Sequence, residues 1–125
     1  MLERAAKYSK ERVTFGKPIC ENQAIAFKLA EMATQIDVAR AMLYNTARMS
    51  DNGVPFSKEA TMTKLFCSEM CVRVCDMGLQ IMGGYGLCDD YQVERMYRDA
   101  KLLTIGEGTS EICRMVIGRH VLKEY

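Results

Sequence analysis

The stretch from Ser57 to Gly86, SKEATMTKLFCSEMCVRVCDMGLQIMGGYG, decides the fold. Leu65, Val72 and Leu79 recur at heptad spacing, and Cys67, Met70, Val74, Met77 and Ile81 fill the adjoining faces. Apolar residues over so much of a helix's circumference predict a helix surrounded by neighbours rather than one lying on a surface. Ser57 is placed to cap its start. Gly83-Gly84-Tyr85-Gly86 breaks it, because glycine tolerates positive φ and lets another backbone or a ligand come close.

Upstream, Ile25, Leu29, Met32, Ile36, Ala39 and Leu43 alternate steps of four and three, the seam of a helix in a bundle. Asn22 stands where its N-cap belongs, and Asp51-Asn52-Gly53 followed by Pro55 is its stop. Downstream, two shorter helices fit, from about Tyr91 to Leu102 and from about Ser110 to Glu124. Met1 to Arg12 reads as the closing part of a helix that begins further upstream. Strand alternation of useful length and an Asn-Gly type hairpin turn are both lacking. The expectation is an all-α fold, an antiparallel four-helix bundle of the up-and-down type with a short additional helix, in which residues 1–125 form one domain.

Composition narrows the function classes. With 49% apolar residues an ordinary core can be buried, and 17 Lys and Arg against 16 Asp and Glu leave no basic field for nucleic acid or an anionic membrane. No run of about 18 apolar residues occurs and the N-terminus lacks a signal-peptide core, so the expected setting is the cytoplasm, or the mitochondrial matrix in a eukaryote. Cys67, Cys71 and Cys75 repeat every four residues, one row on a helix, and cannot close disulfides with one another. With His120 as the single histidine they offer no recognised metal spacing, so all six cysteines read as reduced thiols and no metal is expected. A di-iron bundle is excluded for the same reason, since it needs a Glu-x-x-His pair on each of two helices. His120 reads as a helix C-terminal residue interacting with the dipole.

Four patterns carry possible chemistry: Arg12-Val13-Thr14-Phe15-Gly16-Lys17-Pro18, Gln80-Ile81-Met82-Gly83-Gly84-Tyr85-Gly86, Arg98-Asp99-Ala100-Lys101, and Glu107-Gly108-Thr109-Ser110-Glu111-Ile112. Each has a bland explanation. Arg12 and Gly16 suit a helix terminus with a C-terminal cation and a glycine stop. Arg98 to Lys101 suits a solvated helix face. Thr104 and Glu107 have the spacing of a capping box, but Gly106 and Gly108 would then occupy the first turn, where glycine is about 1 kcal/mol worse than alanine. A carboxylate between two glycines at the mouth of a helix is better explained by exposure to a ligand.

In this order and at these separations the four patterns resemble the C-terminal domain of the acyl-CoA dehydrogenase family, from Lys7 to Tyr125, and residues 22–33 resemble that domain's second long helix. The resemblance implies a flavoenzyme that removes the α-proton of an acyl-CoA thioester and passes the β-hydrogen as hydride to FAD, giving a trans-2-enoyl-CoA. It assigns Glu107 as the catalytic base and places Gly108 against the substrate. Arg12, Phe15, Gln23, Gln80, Gly83, Gly84, Thr109 and Glu111 fall at cofactor-binding positions, Arg12 meeting the pyrophosphate of a neighbouring subunit's FAD with paired, charge-assisted donors. The family often has glutamine where Glu111 stands, and Gly106 replaces a tyrosine of some medium- and short-chain members, which implies a roomier acyl pocket. The implied partners are an acyl-CoA, an electron-transferring flavoprotein and further copies of the chain in a homotetramer. The family's N-terminal helical and middle β-domains have no counterpart here, so the 125 residues alone are expected to be inactive. The competing readings are a fragment of an acyl-CoA oxidase and a non-catalytic oligomerisation bundle with Glu107 as a cap. Far-UV circular dichroism should show a predominantly helical chain, and a strand-dominated spectrum would sink both the bundle and the resemblance.

Overall fold

The computed structural model describes all residues, Met1–Tyr125, as five α-helices: α1 Leu2–Glu11, α2 Gln23–Asp51, α3 Ser57–Met82, α4 Val93–Leu102 and α5 Ser110–Glu124. α3 is the axis, packing against each of the other four. The core follows from its apolar circumference: Met70, Val74 and Ile81 of α3 meet Met32 and Ala39 of α2, Ala5 of α1 and Ile19. Val93 and Ala100 bury one side of α4, and Cys113 buries one side of α5. Lys58 fixes the far end of α5 to the start of α3 through both carboxylate oxygens of Glu124, at 2.6 and 2.8 Å. The cysteine row lies along α3 as expected, and all six thiols are free. Burial pushes the Cys67 thiol up from its ordinary value. No helix is long and apolar enough to cross a membrane.

Helix ends follow local chemistry. α2 closes with Gly53 at φ 65°, the amide of Val54 reaching the carbonyl of Met49 and that of Gly53 reaching Ser50, the paired bonds of a Schellman motif. α3 stops at Gly83, with φ 57° and ψ −138°. Asn22 holds the N-cap position of α2 as expected, without a side-chain hydrogen bond. Two boundaries differ from expectation. Ser57 is the first helical residue of α3 rather than its cap, because the Phe56 carbonyl already accepts from Ala60 at 2.8 Å. α4 begins at Val93 rather than near Tyr91, since Gln92 sits at φ 52° and interrupts the helical path.

Two further corrections arise from packing. Val13–Thr14 and Lys17–Pro18 form a two-stranded antiparallel pair, β1 and β2, where no strand was expected. Phe15 and Gly16 join them at φ 51° and 81°, the positive values of a primed hairpin turn, so Gly16 serves the hairpin while α1 ends at Glu11 with Arg12 as its C-cap. On α2 the seam departs from its expected line: Leu43 is 53% exposed, while Thr46 is buried. α1 and the turn at Ile19–Glu21 flank α2, with residues 19–21 lying just before its start, whereas α3 supplies the Thr63 contact near its end.

Thr46 and Thr63 meet there, their hydroxyl oxygens 2.8 Å apart, and Thr46 also bonds the Met42 carbonyl at 3.0 Å. Thr46→Val strands the Thr63 hydroxyl and should lower the unfolding free energy by about 1 to 3 kcal/mol in urea melts. The double replacement with Thr63→Val should recover most of that loss.

Candidate active site

The segment between α4 and α5 winds back on itself before the last helix begins. Gly106 donates to the Leu102 carbonyl at 2.8 Å, and Ser110 reaches across to Thr104 at 3.0 Å. Between them Glu107 and Gly108 both take positive φ, 55° and 101°. For glutamate this conformation costs roughly 1 kcal/mol or more, so something outside the residue itself must hold it. The turn leaves Glu107 exposed, and none of the chain's side-chain hydrogen bonds or ion pairs uses its carboxylate. It stands at the rim of a cleft of about 540 Å³ walled by Lys64, Cys67, Ser68, Leu102, Leu103 and Gly106. From α3, the Lys64 ammonium donates to the Gly108 carbonyl.

Helix α5 starts immediately beyond. Thr109 is its N-cap, the hydroxyl accepting from the Ile112 amide at 3.3 Å. This removes the capping-box reading: Thr104 donates its hydroxyl to Lys101 instead, and Glu107 lies outside the helix. A polar hollow of about 340 Å³ opens beside this terminus, lined by Arg73, Lys101, Thr109, Ser110 and Glu111 among others. The buried Ser110 hydroxyl has no hydrogen-bond partner. Hydrogen bonds from its own backbone N–H and from the Thr109 hydroxyl hold the Glu111 carboxyl below the usual carboxylate range. Arg114 donates to Glu69 at 2.6 Å, holding that carboxyl low as well and tying α5 to α3.

At the C-terminal end of α3 lies another cleft, of about 490 Å³, lined by Arg12, Thr14, Ile81, Gly83, Gly84 and Tyr85 among others. A Cβ at Gly83 or Gly84 would meet no atom within 4 Å, so the bare backbone there leaves room for a ligand rather than closing a packed contact. Arg12 lies over the Tyr85 ring, 5.2 Å from its centroid, and Tyr8 and Tyr91 pack around that ring at 6.1 to 5.7 Å. Phe15, at the hairpin tip, is fully exposed. Gln23 and Gln80 are exposed near the same end, at the start of α2 and in the last turn of α3.

The sequence-derived residues therefore fall into two groups. Glu107, Gly108, Thr109 and Glu111 lie against the middle of α3, while Arg12, Phe15, Gln23, Gln80, Gly83 and Gly84 gather at its end. From Ser68 to Gly83 the helix advances about 22 Å at 1.5 Å per residue. No single cleft of this chain joins them. His120 lies in α5, half-buried, and no group of histidine, cysteine or acidic residues is arranged to hold a metal ion. Lys64, the Glu69–Arg114 pair and the tyrosine trio escaped the sequence reading. Each depends on contacts between residues 44 or more positions apart in the chain, apart from the local Tyr85 and Tyr91 pairing, and no spacing rule reaches that far.

The chain has close relatives among known proteins. Residues 1–122 match the profile of the family described as acyl-CoA dehydrogenase, C-terminal domain. The chain is 55% identical over 122 residues to the probable acyl-CoA dehydrogenase YngJ of Bacillus subtilis, covering 98% of this chain and 32% of that protein. It is 49% identical to the caffeyl-CoA reductase-Etf complex subunit CarC of Acetobacterium woodii, with 98% and 32% covered. The structure of butyryl-CoA dehydrogenase from Megasphaera elsdenii superposes with a TM-score of 0.95 at 45% identity, over 97% of this chain and 32% of that one. The chain thus spans about a third of the length of these relatives.

The conformations at the α5 mouth separate a cap from a presented carboxylate. Thr109→Ala should cost about 1 kcal/mol of stability in urea melts, because the Ile112 amide loses its acceptor. Glu107→Gly should cost nothing, since it relieves a left-handed non-glycine residue. A clear destabilisation by Glu107→Gly would return that residue to a structural role.

Proposed function

The chain belongs to the acyl-CoA dehydrogenase family, and from that premise we propose that it is the domain carrying the catalytic base of an FAD-dependent enzyme that oxidises an acyl-CoA thioester to a trans-2-enoyl-CoA. One observation carries the reading: Glu107 is held in a left-handed turn between two glycines, at the rim of a largely apolar cleft, with its carboxylate unpaired. A free carboxylate in water is far too weak a base for a carbon α to a carbonyl. The reaction therefore needs the substrate to be acidified and the base desolvated. The Glu107 amide is the chain's donor to the thioester oxygen, and Gly108 lets the substrate approach without a side chain in the way. An acyl chain lying along Leu102, Leu103 and Cys67 excludes water from the same rim. Gly106 leaves that wall open and makes the pocket roomier.

FAD, when bound, accepts the β-hydrogen as hydride. The residues at the end of α3 fit such a dinucleotide: an exposed guanidinium oriented over an aromatic ring, two glycines facing open space, and an exposed Phe15 beside them. Arg12 holds the pyrophosphate, Gln23, Gln80, Gly83 and Gly84 line the cofactor, and Thr109 and Glu111 contact FAD near the base. The distance between the two groups along α3 suits one serving the cofactor of its own subunit and the other that of a neighbouring copy. Exposed Phe27, Leu43, Tyr44, Met115 and Leu122 give the apolar surface that association into a homotetramer covers. An electron-transferring flavoprotein takes the electrons onward, a partner in keeping with the Etf complex in the name of the Acetobacterium relative. The working compartment is the cytoplasm, or the mitochondrial matrix in a eukaryote.

In the FAD-loaded enzyme that contains this domain, Glu107→Gln should slow flavin bleaching by acyl-CoA at least about 100-fold while leaving FAD bound. Arg12→Ala should do the opposite, weakening FAD retention about 10- to 100-fold with the surviving holoenzyme still reducible. Normal bleaching by Glu107→Gln in stopped-flow absorbance would overturn the assignment of the base.

A further inference from the structure

We propose that Lys64 is a positioning residue for Glu107, clamping the left-handed turn from α3 through its hydrogen bond to the Gly108 carbonyl; the inference rests on Glu107 being the base. Glu107 and Gly108 follow one another at φ 55° and 101°. A strained non-glycine residue of this kind persists only when its surroundings over-determine it. Most of the hydrogen bonds around the turn are local. Ser110 reaches Thr104, Thr104 reaches Lys101, Ile112 reaches Thr109, and the Cys113 thiol lies 4.0 Å from the Gly108 carbonyl. These would move with the segment. Lys64 alone ties it by hydrogen bond to the central helix, across 44 residues of sequence.

Its setting argues against a chance surface contact. Lys64 is half-buried, forms no ion pair, and offers its ammonium to a neutral carbonyl. Removing part of an ammonium's hydration without a counter-ion is unfavourable, and the hydrogen bond to the Gly108 carbonyl is what offsets that cost. The four-carbon stem forms part of the wall of the cleft whose rim carries Glu107. One side chain thus shapes the cleft and sets the direction in which the following helix and the preceding carboxylate leave the turn. Losing the bond frees the Gly108–Thr109 peptide to rotate about the glycine that follows Glu107, and a base displaced by about 1 Å can lose about 100-fold in rate.

The test uses the FAD-loaded enzyme containing this domain, with flavin bleaching at saturating butyryl-CoA followed by stopped flow. Lys64→Met keeps most of the stem and removes the donor, and Lys64→Gln is a second removal of different polarity. Both should slow bleaching about 10- to 100-fold, with FAD content and melting temperature unchanged and KM altered less than about threefold. Lys64→Arg should restore much of the rate. In a Glu107→Gln background Lys64→Met should add no further loss. An unchanged bleaching rate in both removals, a loss that tracks melting temperature and FAD content without rescue by arginine, or an independent loss on top of Glu107→Gln would each overturn the proposal. Normal bleaching by Glu107→Gln alone would instead overturn the underlying assignment of the base, so the two failures are distinguishable.

Discussion

Contact of α3 with all four other helices is the constraint from which the rest of the structure follows. A helix with Met70, Val74, Cys75, Ile81 and Met82 turned inward cannot be satisfied by one neighbour, and α1, α2, α4 and α5 are each held against it. Small and polar residues occur along it where partners come closest. Gly78 faces Met1 and Met32, and Thr63 meets Thr46. An added Cβ at Gly78 would lie 2.4 Å from Met1 side-chain atoms, so the Met1 side chain would have to move aside. Elsewhere the outer helices need only a narrow apolar stripe, which leaves Leu43, Phe27 and Leu122 exposed.

A rigid central helix also serves as a ruler. The two clefts lie along it at positions set by 1.5 Å per residue, and neither can move relative to the other without breaking the core. Charge pairs reinforce that geometry at the surface: Glu124 with Lys58 at one end of α5, Arg114 with Glu69 near the other. Exposed pairs of this type contribute little stability individually. Their value here is registration, because α5 carries Thr109 and Glu111 at its mouth and any slide along α3 would carry the turn with it.

Local strain is concentrated where the proposed chemistry lies. Three non-glycine residues have positive φ: Phe15 at the hairpin tip, Gln92 before α4, and Glu107 before α5. Two of these belong to the residues assigned to cofactor and substrate. Both project from the fold with little packing of their own, and both depend on neighbouring elements to stay in place. A domain optimised for stability alone would carry glycine or asparagine there.

Much of this protein was legible in its sequence. Helical periodicity and glycine punctuation are properties of neighbours within about four residues, so α5 begins and ends where its pattern does, α3 stops at Gly83, and the central position of α3 is visible in its apolar circumference. The ordered motifs likewise singled out Glu107 and Arg12 as candidates before any contact was known. Tertiary structure decided what those neighbours could not encode. It turned residues 13–18 into a hairpin too short for alternation to reveal, and left Leu43 of α2 exposed while burying Thr46 against Thr63 of α3. It also brought Lys64 to the Gly108 carbonyl and Arg12 over Tyr85, pairings whose members are far apart along the chain and meet only because the helices carrying them share one core.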